Sequence, residues 1–392
     1  MIAIFMGRFS WSASDPFERG GTLRALHLAQ RSVLCQAGFS PRGRLPLTDA
    51  CVTCYGSTMP DQPHILTGFH FTKATLASFS ERCKIIGHMD NPTPTVADIP
   101  PGTAATVQAI VSTGSVGLSD AMMAALPRLS LFCCYGTGYE RVDLEAARRR
   151  NIMVTHGADA NALDVAELAV GILLASTRRL VRADKMIRRG EWKQRIPNRF
   201  GAIAGLTGGK VGILGLGAIG LEVARRLKGF DVEIGYCNRS KRSDVDFPYF
   251  PDVMALATWC DYLIVCLRSD ASNRHIIDAE VLKALGPRGH VVNISRGWAV
   301  DEAALADALR HDVIEGAALD VFDEEPYTGT ELLELDKLVM TPHFGGGTQH
   351  AQRRMTDLVC RNLDNHFTGK PVVSPVPELR DWAHSPDAPE PR

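Results

Sequence analysis

Short apolar runs alternate with helical patterns along most of this chain. From residue 63 onward, continuous apolar stretches of strand length recur between segments whose apolar residues have helical spacing. Strands that are apolar on both faces are typical of parallel sheets covered by helices. Strands are predicted at residues 64–66, 84–87, 107–111, 129–134, 152–154, 211–214, 232–236, 262–267, 291–294, 316–321 and 338–340. Helices are predicted at 72–80, 119–126, 144–150, 161–179, 221–227, 254–259, 281–285, 303–310 and 349–367.

The order of these elements predicts the fold class and the domains. A βα array of about 100 residues, enough for a small domain, precedes a glycine-rich turn at the middle of the chain, and one helix is left over after the last strand. We therefore expect an α/β protein in which a doubly wound parallel Rossmann sheet is inserted into a smaller flavodoxin-like α/β domain, with a cleft between them. The predicted limits are 59–157 for the first part of the substrate domain, 158–342 for the dinucleotide domain, 343–377 for the return helix and 378–392 for a tail.

The first 58 residues differ from the rest. They contain arginine but no lysine, are interrupted by glycine and proline, and show little strand periodicity. One interpretation is a transit-like leader. The other, which we favour, is that the natural chain starts at Met59, where the βα pattern begins. We expect residues 1–58 to pack weakly or not at all.

The mid-chain segment 210–242 carries the most specific pattern. An apolar strand is followed by Gly215, Gly217 and Gly220 in G-x-G-x-x-G spacing, then by the helical pattern 221–227, and then by a second strand. Ala218 and Ile219, which lie within this turn, are also predicted to bind the cofactor. The first glycine permits a tight turn, the second lets the backbone approach a pyrophosphate, and the third lets the helix pack on the strand. Unpaired N–H groups at the helix start attract that pyrophosphate. A dinucleotide site is predicted here.

The end of the second strand indicates which dinucleotide binds. NAD sites usually carry an acid there for the ribose hydroxyls, but this strand ends in Asn238, Arg239 and Ser240, with no acid before Asp244. A neutral residue followed by arginine suits the 2′-phosphate of NADP. A solvated basic turn is the alternative. The prediction is NADP(H), with NAD(H) as the second possibility.

The composition excludes several other classes of protein. A net charge of −1 with 22% charged residues gives no reason to expect nucleic acid or a membrane surface as partner. The ten cysteines are scattered, and several lie in apolar strand-like runs, as expected of buried thiols in a reducing cytoplasm. Cys51 and Cys54 form a lone CxxC without the second pair that a zinc site needs. No metal site is predicted.

Two loops rich in small residues follow predicted strands of the first domain. They cover residues 112–117 and 136–139. Loops at the carboxyl ends of strands bind ligands in open α/β sheets, and exposed backbone N–H groups can hold a small carboxylate. Two ordinary turns are the alternative. The candidate substrate residues are Thr113, Gly114, Ser115 and Gly138.

Three segments at later strand ends hold residues that could carry chemistry. Arg296 follows the strand 291–294, Glu324 and Glu325 lie beyond the strand 316–321, and His343 follows the strand 338–340. Arginine offers a planar fork to a carboxylate, and histidine can protonate a carbonyl oxygen. A carboxylate on the other ring nitrogen fixes the tautomer and stabilises imidazolium. Together these groups fit a 2-oxo acid.

Each of these residues also has a structural interpretation. An isolated histidine near proline and glycine is often a satisfied loop residue, and an acid before proline can simply close a turn. The combination of the three favours the catalytic interpretation. Arg268 and Arg274 could also face the cleft but rank lower. The other histidines considered lack such a combination and are expected to be structural or exposed: His64, His88, His156, His275 and His290.

The chain resembles the D-isomer-specific 2-hydroxyacid dehydrogenase family over about residues 62–377. The matching motifs are GLGAIG, VNISRGWAVDE, ALDVFDEEP and TPHFGGGT. The resemblance implies Arg296 as substrate clamp, His343 as general acid in reduction and Glu325, which directly precedes the proline, as its partner. It also implies a homodimer with the helix 161–179 at the interface. We further expect Ile294, Ser295 and Asp320 at the cofactor.

Within that family, the segments CNRSKR and AALPRLSLF are most similar to NADPH-dependent hydroxypyruvate and glyoxylate reductases. The expected activity is NADPH-dependent reduction of a small 2-oxo acid to the D-hydroxy acid in the cytoplasm. Two alternatives stay open. One is an NAD-dependent relative acting on phosphoglycerate or formate. The other is a non-catalytic dinucleotide-sensing scaffold, since the same fold can serve different functions.

Overall fold

The computed structural model describes residues 62–91, 93–114, 116–193, 203–268 and 271–383. The expectation of weak packing for residues 1–58 lies outside this part of the chain, as does the candidate substrate residue Ser115. None of the helices in these ranges has both the length and the apolar character needed to cross a lipid bilayer.

Five parallel strands form the first sheet, in the order β2-β1-β3-β4-β5. This is the flavodoxin-like strand order. Ile65, Ile110 and Phe132 are fully buried at its centre. The strands are β1 (His64–Thr67), β2 (Lys84–His88), β3 (Ala109–Ser112), β4 (Leu131–Cys134) and β5 (Met153–Thr155), and the helices between them are α1 (Lys73–Ser80), α2 (Asp120–Ala125) and α3 (Leu144–Arg149).

Two helices follow the first sheet, of which the sequence predicted only the first. α4 (Ala162–Thr177) packs between α6 (Ala218–Leu227) and the second sheet, and is buried along most of its length, as its apolar composition indicates. The helix predicted at 161–179 is confirmed as α4, which ends at Thr177; Arg179, with φ +51° in the left-handed region, separates it from the next helix. α5 (Leu180–Arg188) then runs on with no buried residue.

Seven strands form the second sheet, in the order β12-β11-β10-β9-β6-β7-β8, with all neighbours parallel. Strand order reverses between β6 and β9, the crevice where such sheets bind dinucleotides. Apolar cores cover both faces. The strands are β6 (Lys210–Leu214), β7 (Glu233–Cys237), β8 (Tyr249–Phe250), β9 (Tyr262–Val265), β10 (His290–Asn293), β11 (Gly316–Leu319) and β12 (Leu338–Met340), and the helices are α6, α7 (Val253–Trp259), α8 (Ala279–Leu285) and α9 (Glu302–Arg310).

The chain then returns to the first sheet. α10 (Gln349–Phe367) packs on α1 and β4, and the Thr356 hydroxyl lies 2.9 Å from the hydroxyl of Tyr135. The predicted domain limits stay a prediction. The remaining helical turns are α11 (Arg380–Ala383) and the 3₁₀ turns Val96–Asp98, Lys228–Phe230, Ala271–Asn273, Gly297–Ala299 and Pro377–Leu379.

Candidate active site

His343 and Glu325 form a hydrogen-bonded pair. Nδ1 of His343 lies 2.7 Å from Oε2 of Glu325, and the other carboxylate oxygen accepts a hydrogen bond of 3.0 Å from the Phe322 N–H. Both side chains are partly exposed, at 46% for His343 and 36% for Glu325. Since Nδ1 is committed to Glu325, Nε2 is the ring nitrogen left for a substrate.

The pKa of Glu325 is lowered from its ordinary value. Burial alone would raise this pKa, but the hydrogen bond and charge of His343, the Phe322 N–H and the positive charge of Arg296 together outweigh burial. Glu325 is therefore an anion at neutral pH, and Arg296 belongs to the same electrostatic site.

A buried carboxylate holds the loop that carries His343. Asp320, 2% exposed at the end of β11, accepts hydrogen bonds from the Thr341 hydroxyl (2.6 Å) and from the N–H groups of Phe344 (3.1 Å) and Gly345 (3.0 Å). His343 itself has φ +48°, in a region that non-glycine residues rarely adopt. Asp320, predicted at the cofactor, thus directs its carboxylate oxygens to this loop.

Asn293 fixes the backbone that carries Arg296. This fully buried residue at the end of β10 donates from Nδ2 to the Arg296 carbonyl oxygen (2.8 Å). Its Oδ1 accepts hydrogen bonds from both the N–H (3.0 Å) and the hydroxyl (2.7 Å) of Ser295. Ser295 and Ile294, which were predicted at the cofactor, are both buried at this turn.

The guanidinium of Arg296 contacts the loop that follows β4 of the first sheet. Nε donates to Oε1 of Glu140 (3.0 Å), Nη2 lies 2.8 Å from the same oxygen, and Nη1 donates to the Ser295 carbonyl (2.7 Å). Gly138 makes room for this contact, since a Cβ there would lie 2.0 Å from Nη2. Glu140 was not predicted; its only sequence signal is an acid just after the loop 136–139.

The two predicted substrate loops contact each other. A Cβ on Gly114 would lie 1.8 Å from the Gly138 carbonyl oxygen, so these backbones touch. Thr113 is partly buried beside Gly114, directly after β3. The structure therefore brings Thr113, Gly114 and Gly138 to the side of the site where Arg296 lies.

Arg268 and Arg274, ranked below Arg296, each have an acidic partner. Arg268 donates from Nη2 to Glu378 (2.6 Å), its guanidinium carbon lies 4.9 Å from the centre of the Tyr139 ring, and the Tyr139 hydroxyl donates to the other oxygen of Glu378 (2.9 Å). Arg274 pairs with Asp323 at 3.1 Å. Each arginine is therefore engaged by an acidic side chain of the protein.

The three fingerprint glycines have different surroundings. Gly215 has φ +98°, and a Cβ there would lie 2.8 Å from the Cys266 carbonyl oxygen; a Cβ on Gly220 would lie 2.4 Å from the Gly215 carbonyl oxygen. Gly217 caps α6 with φ −87°, and a Cβ there would meet nothing within 4 Å. The fold thus requires the first and third glycines, whereas the second leaves open space at the helix start, beside Ala218 and Ile219, which fits a pyrophosphate.

The end of β7 is tied to this turn. Oδ1 of Asn238 accepts a hydrogen bond from the Leu216 N–H (2.7 Å), and Arg242 donates from Nη1 to the Leu216 carbonyl (2.9 Å). Arg242 also pairs with Asp244 at 2.5 Å. Arg239 and Ser240 are exposed beside the turn. Positive charge and a hydroxyl group are therefore exposed at this edge.

Fold and site together define a class, the dinucleotide-dependent oxidoreductases with a Rossmann sheet. A sequence model described as "D-isomer specific 2-hydroxyacid dehydrogenase, NAD binding domain" matches residues 170–345. The chain is 40% identical over 273 residues to hydroxyphenylpyruvate reductase of Plectranthus scutellarioides, covering 70% of this chain and 86% of that protein. It is 39% identical over 270 residues to glyoxylate/hydroxypyruvate reductase A of Arabidopsis thaliana, covering 69% and 85%.

A solved structure gives the same result. The NADPH-dependent glyoxylate/hydroxypyruvate reductase of Sinorhizobium meliloti, in complex with NADP and malonate, superposes with a TM-score of 0.74 at 33% identity, covering 84% of this chain and 99% of that one. The protein belongs to the D-isomer specific 2-hydroxyacid dehydrogenase family. The predicted family, fold class and dependence on a nicotinamide dinucleotide are confirmed.

Proposed function

We propose that this protein reduces a small 2-oxo acid, glyoxylate or hydroxypyruvate, to the D-2-hydroxy acid with NADPH. One observation carries the proposal: His343 is hydrogen-bonded at 2.7 Å to a Glu325 whose pKa is lowered, within the electrostatic reach of Arg296. A proton donor, an anion that stabilises it and a guanidinium for a carboxylate are what this reduction needs.

Each of the three side chains has one role. Arg296 binds the substrate carboxylate through its remaining N–H groups. His343 donates a proton from Nε2 to the carbonyl oxygen, and Glu325 stabilises the imidazolium before that transfer. The bound nicotinamide cofactor supplies the hydride. Backbone N–H groups of the loops at Thr113–Gly114 and Gly138 are proposed to hold the carboxylate from the other side.

The preference for NADPH is supported by the end of β7. Residues 238–243 contain no acid, and Arg239 is exposed next to the glycine turn. A charge-assisted hydrogen bond to a 2′-phosphate contributes about 1.5–3 kcal/mol, roughly a 10- to 150-fold preference over NAD. The Sinorhizobium meliloti structure holds NADP.

The substrate proposal follows the names of the relatives. The Arabidopsis and Sinorhizobium proteins are named for glyoxylate and hydroxypyruvate, and the Plectranthus protein for hydroxyphenylpyruvate. All three substrates are 2-oxo acids, so they share the carboxylate and carbonyl that Arg296 and His343 would bind. We assign the smaller pair because AALPRLSLF and CNRSKR are most similar to those reductases.

We also propose a cytoplasmic homodimer. That helix 161–179, here α4, lies at the interface stays a prediction. The helix that follows it, α5, has no buried residue and exposes Leu180, Val181 and Ile187 at 53%, 39% and 54%. An apolar helix face of this kind is typical of a subunit interface. The cysteines of the described residues are free and buried, as expected in a reducing compartment.

A panel of 2-oxo acids tests the function. Consumption of NADPH and NADH is followed by absorbance with glyoxylate, hydroxypyruvate, hydroxyphenylpyruvate and phosphohydroxypyruvate. We expect turnover of the first two with NADPH favoured at least tenfold, and a D-configured product from hydroxypyruvate. Equal or better rates with NADH would instead favour the NAD-dependent relative. No turnover despite NADPH binding would favour a dinucleotide sensor.

A further inference from the structure

Three potential metal ligands meet at the edge of the first sheet, on residues that the proposed reaction does not use. His70 lies in the loop after β1, and His88 and Asp90 lie at the end of β2. Their ligand atoms are all within 4.8 Å of one another. β2 is an edge strand, whereas Arg296, Glu325 and His343 follow strands of the second sheet.

The distances match those of a small coordination sphere. Nε2 of His88 lies 3.0 Å from Oδ1 of Asp90, and Nε2 of His70 lies 3.8 Å from the same oxygen. Tetrahedral zinc with bonds of about 2.0–2.1 Å places its ligand atoms about 3.3 Å apart. The two separations from Asp90 lie on either side of this value, and all three ligand atoms lie within 4.8 Å of one another. The exposed side chains of His70 and Asp90 would therefore adjust on binding to complete the geometry.

The His88 ring is already oriented by a second residue. The Thr67 hydroxyl, on a residue that is 2% exposed, lies 2.9 Å from Nδ1 of His88. Metal-binding histidines usually engage the other ring nitrogen in this way, which fixes the ring and the tautomer. Thr67 and His88 are register partners in the β1–β2 pair, and the Met89 N–H donates to the Thr67 carbonyl (2.8 Å). The backbone therefore holds this arrangement.

The loop that carries His70 is also anchored. The Gly68 N–H donates to the Val111 carbonyl and the Ser112 hydroxyl donates to the Gly68 carbonyl, each at 3.0 Å. Phe71 packs edge-on against both Phe79 and Tyr135. The backbone on both sides of His70 is therefore held, and the centres of the His70 and His88 rings lie 5.1 Å apart.

We propose that His70, His88 and Asp90 form a binding site for one divalent transition-metal ion of the zinc class. Two imidazoles and one carboxylate are the ligand set that Zn²⁺, Co²⁺ and Ni²⁺ accept, whereas Mg²⁺ and Ca²⁺ prefer oxygen ligands. The side chains of His70 and Asp90 are 84% and 78% exposed, so the ion can enter from solvent and keeps water as a further ligand. The bound ion links the edge strand β2 to the loop after β1.

Metal titration tests this site. Chelator-treated protein is titrated with Zn²⁺, Co²⁺ and Mg²⁺ by calorimetry, in a Cys51→Ser/Cys54→Ser background that removes the other candidate ligand pair. We expect one saturable Zn²⁺ site, a Co²⁺ complex with visible absorption, a raised melting temperature and no Mg²⁺ binding. Thr67→Val should weaken Zn²⁺ binding about 10- to 100-fold.

The ligand variants provide the decisive comparison. His70→Ala and Asp90→Asn alter exposed side chains, so the fold and the turnover of the 2-oxo acid should be retained while Zn²⁺ binding is lost. His311→Ala, which removes an exposed histidine elsewhere, is the matched control and should bind Zn²⁺ normally. The proposal is wrong if Zn²⁺ shows no saturable binding, or if His70→Ala and Asp90→Asn bind it as tightly as the parent. In that case the cluster is only an ion pair between His88 and Asp90.

Discussion

Glu140 follows a strand of the first sheet and Arg296 a strand of the second, yet one oxygen of the Glu140 carboxylate lies 3.0 Å from Nε and 2.8 Å from Nη2 of Arg296. The contact occupies one side of the guanidinium and leaves N–H groups on the terminal nitrogens for a substrate. Both side chains are about three-quarters buried. Glu140 is thus a positioning residue for the proposed carboxylate clamp.

Glu140→Ala should lower kcat/KM about 10- to 100-fold, mainly through a higher KM. Without Glu140, Arg296 must be ordered by the substrate itself, at a cost comparable to one charge-assisted hydrogen bond. Steady-state kinetics with NADPH saturating measures this, and Glu140→Asp should recover part of the loss. A lower KM in Glu140→Ala would show instead that Glu140 competes with the substrate.

His343→Ala and Glu325→Gln should separate proton transfer from binding. General acid catalysis contributes about 10²- to 10⁴-fold, so His343→Ala should lose kcat in that range while NADPH still binds, as followed by nicotinamide fluorescence. Glu325→Gln keeps the shape but loses the charge that stabilises imidazolium, so we expect a smaller loss, of about 10- to 100-fold. Full kcat in His343→Ala would remove this histidine from the mechanism.

The pKa of Glu325 also has a consequence for the pH profile. Its lowered pKa means that the carboxylate is present above the ordinary value of 4.5 and is lost only as the pH falls below it. Titration of Glu325 should therefore not affect the rate of reduction between pH 5 and 8. The pH–rate profiles of the wild-type enzyme and of Glu325→Gln, measured over this range, should show the same number of limbs.

Gly217→Ala should weaken NADPH binding, whereas Gly220→Ala should lower the stability of the folded protein. A Cβ on Gly217 meets no atom within 4 Å, so the variant should melt close to the wild type but bind NADPH more weakly, by tenfold or more. A Cβ on Gly220 would lie 2.4 Å from a carbonyl oxygen, so that variant should lose stability. Thermal melts and NADPH titrations separate the two. Normal NADPH binding by Gly217→Ala would contradict the proposed pyrophosphate position.

Arg239→Ala should raise the KM for NADPH about tenfold and leave the KM for NADH unchanged. A charge-assisted hydrogen bond to the 2′-phosphate favours NADPH over NADH roughly 10- to 150-fold. The lower end of this range is expected here because Arg239 is exposed. Arg225→Ala, which removes an exposed arginine at the other end of α6, is the charge-matched control. Parallel losses with both cofactors would show that Arg239 supports the fold of this edge and not the 2′-phosphate.

His366 should make folding stability sensitive to acid. The residue is 4% exposed, its Nε2 lies 2.8 Å from the Ser130 hydroxyl, and burial lowers its pKa from 6.5 to about 4. The unfolded chain binds more protons between these values, so this contribution is complete above pH 6.5 and is lost as the pH falls toward 4. At pH 5 the loss is on the order of 2 kcal/mol.

Urea unfolding at pH 7.5 and pH 5 checks this prediction. His366→Gln should reduce the difference in the free energy of unfolding between the two pH values by that amount, whatever its effect at pH 7.5. His290, whose pKa is also lowered to about 4 by burial, is unchanged in this variant, so its own contribution to the pH dependence should remain. An unchanged difference would mean that His366 is not neutral in the folded protein.

Local pattern in the sequence determined most of the elements and the dinucleotide site. Buried parallel strands are apolar throughout, and a strand, a glycine turn and a helix in this spacing are typical of dinucleotide binding. The positions of β6, Gly217 and α6 therefore follow from the sequence by itself. Arg296 and His343 could be identified in the same way, because each follows a predicted strand, and parallel strands bring their carboxyl ends to one edge. The choice of Glu325 over its neighbour Glu324 rested on the resemblance to the family.

Only the tertiary structure decided which side chains contact each other across that edge. Glu140 meets Arg296 through the packing of two sheets, and Asp320 holds the loop of His343, where the sequence suggested the cofactor. The His70–His88–Asp90 cluster depends on the register of β1 and β2. Sequence patterns record local periodicity and burial, whereas distances between residues far apart in the chain are set by sheet order and register, which no single segment encodes.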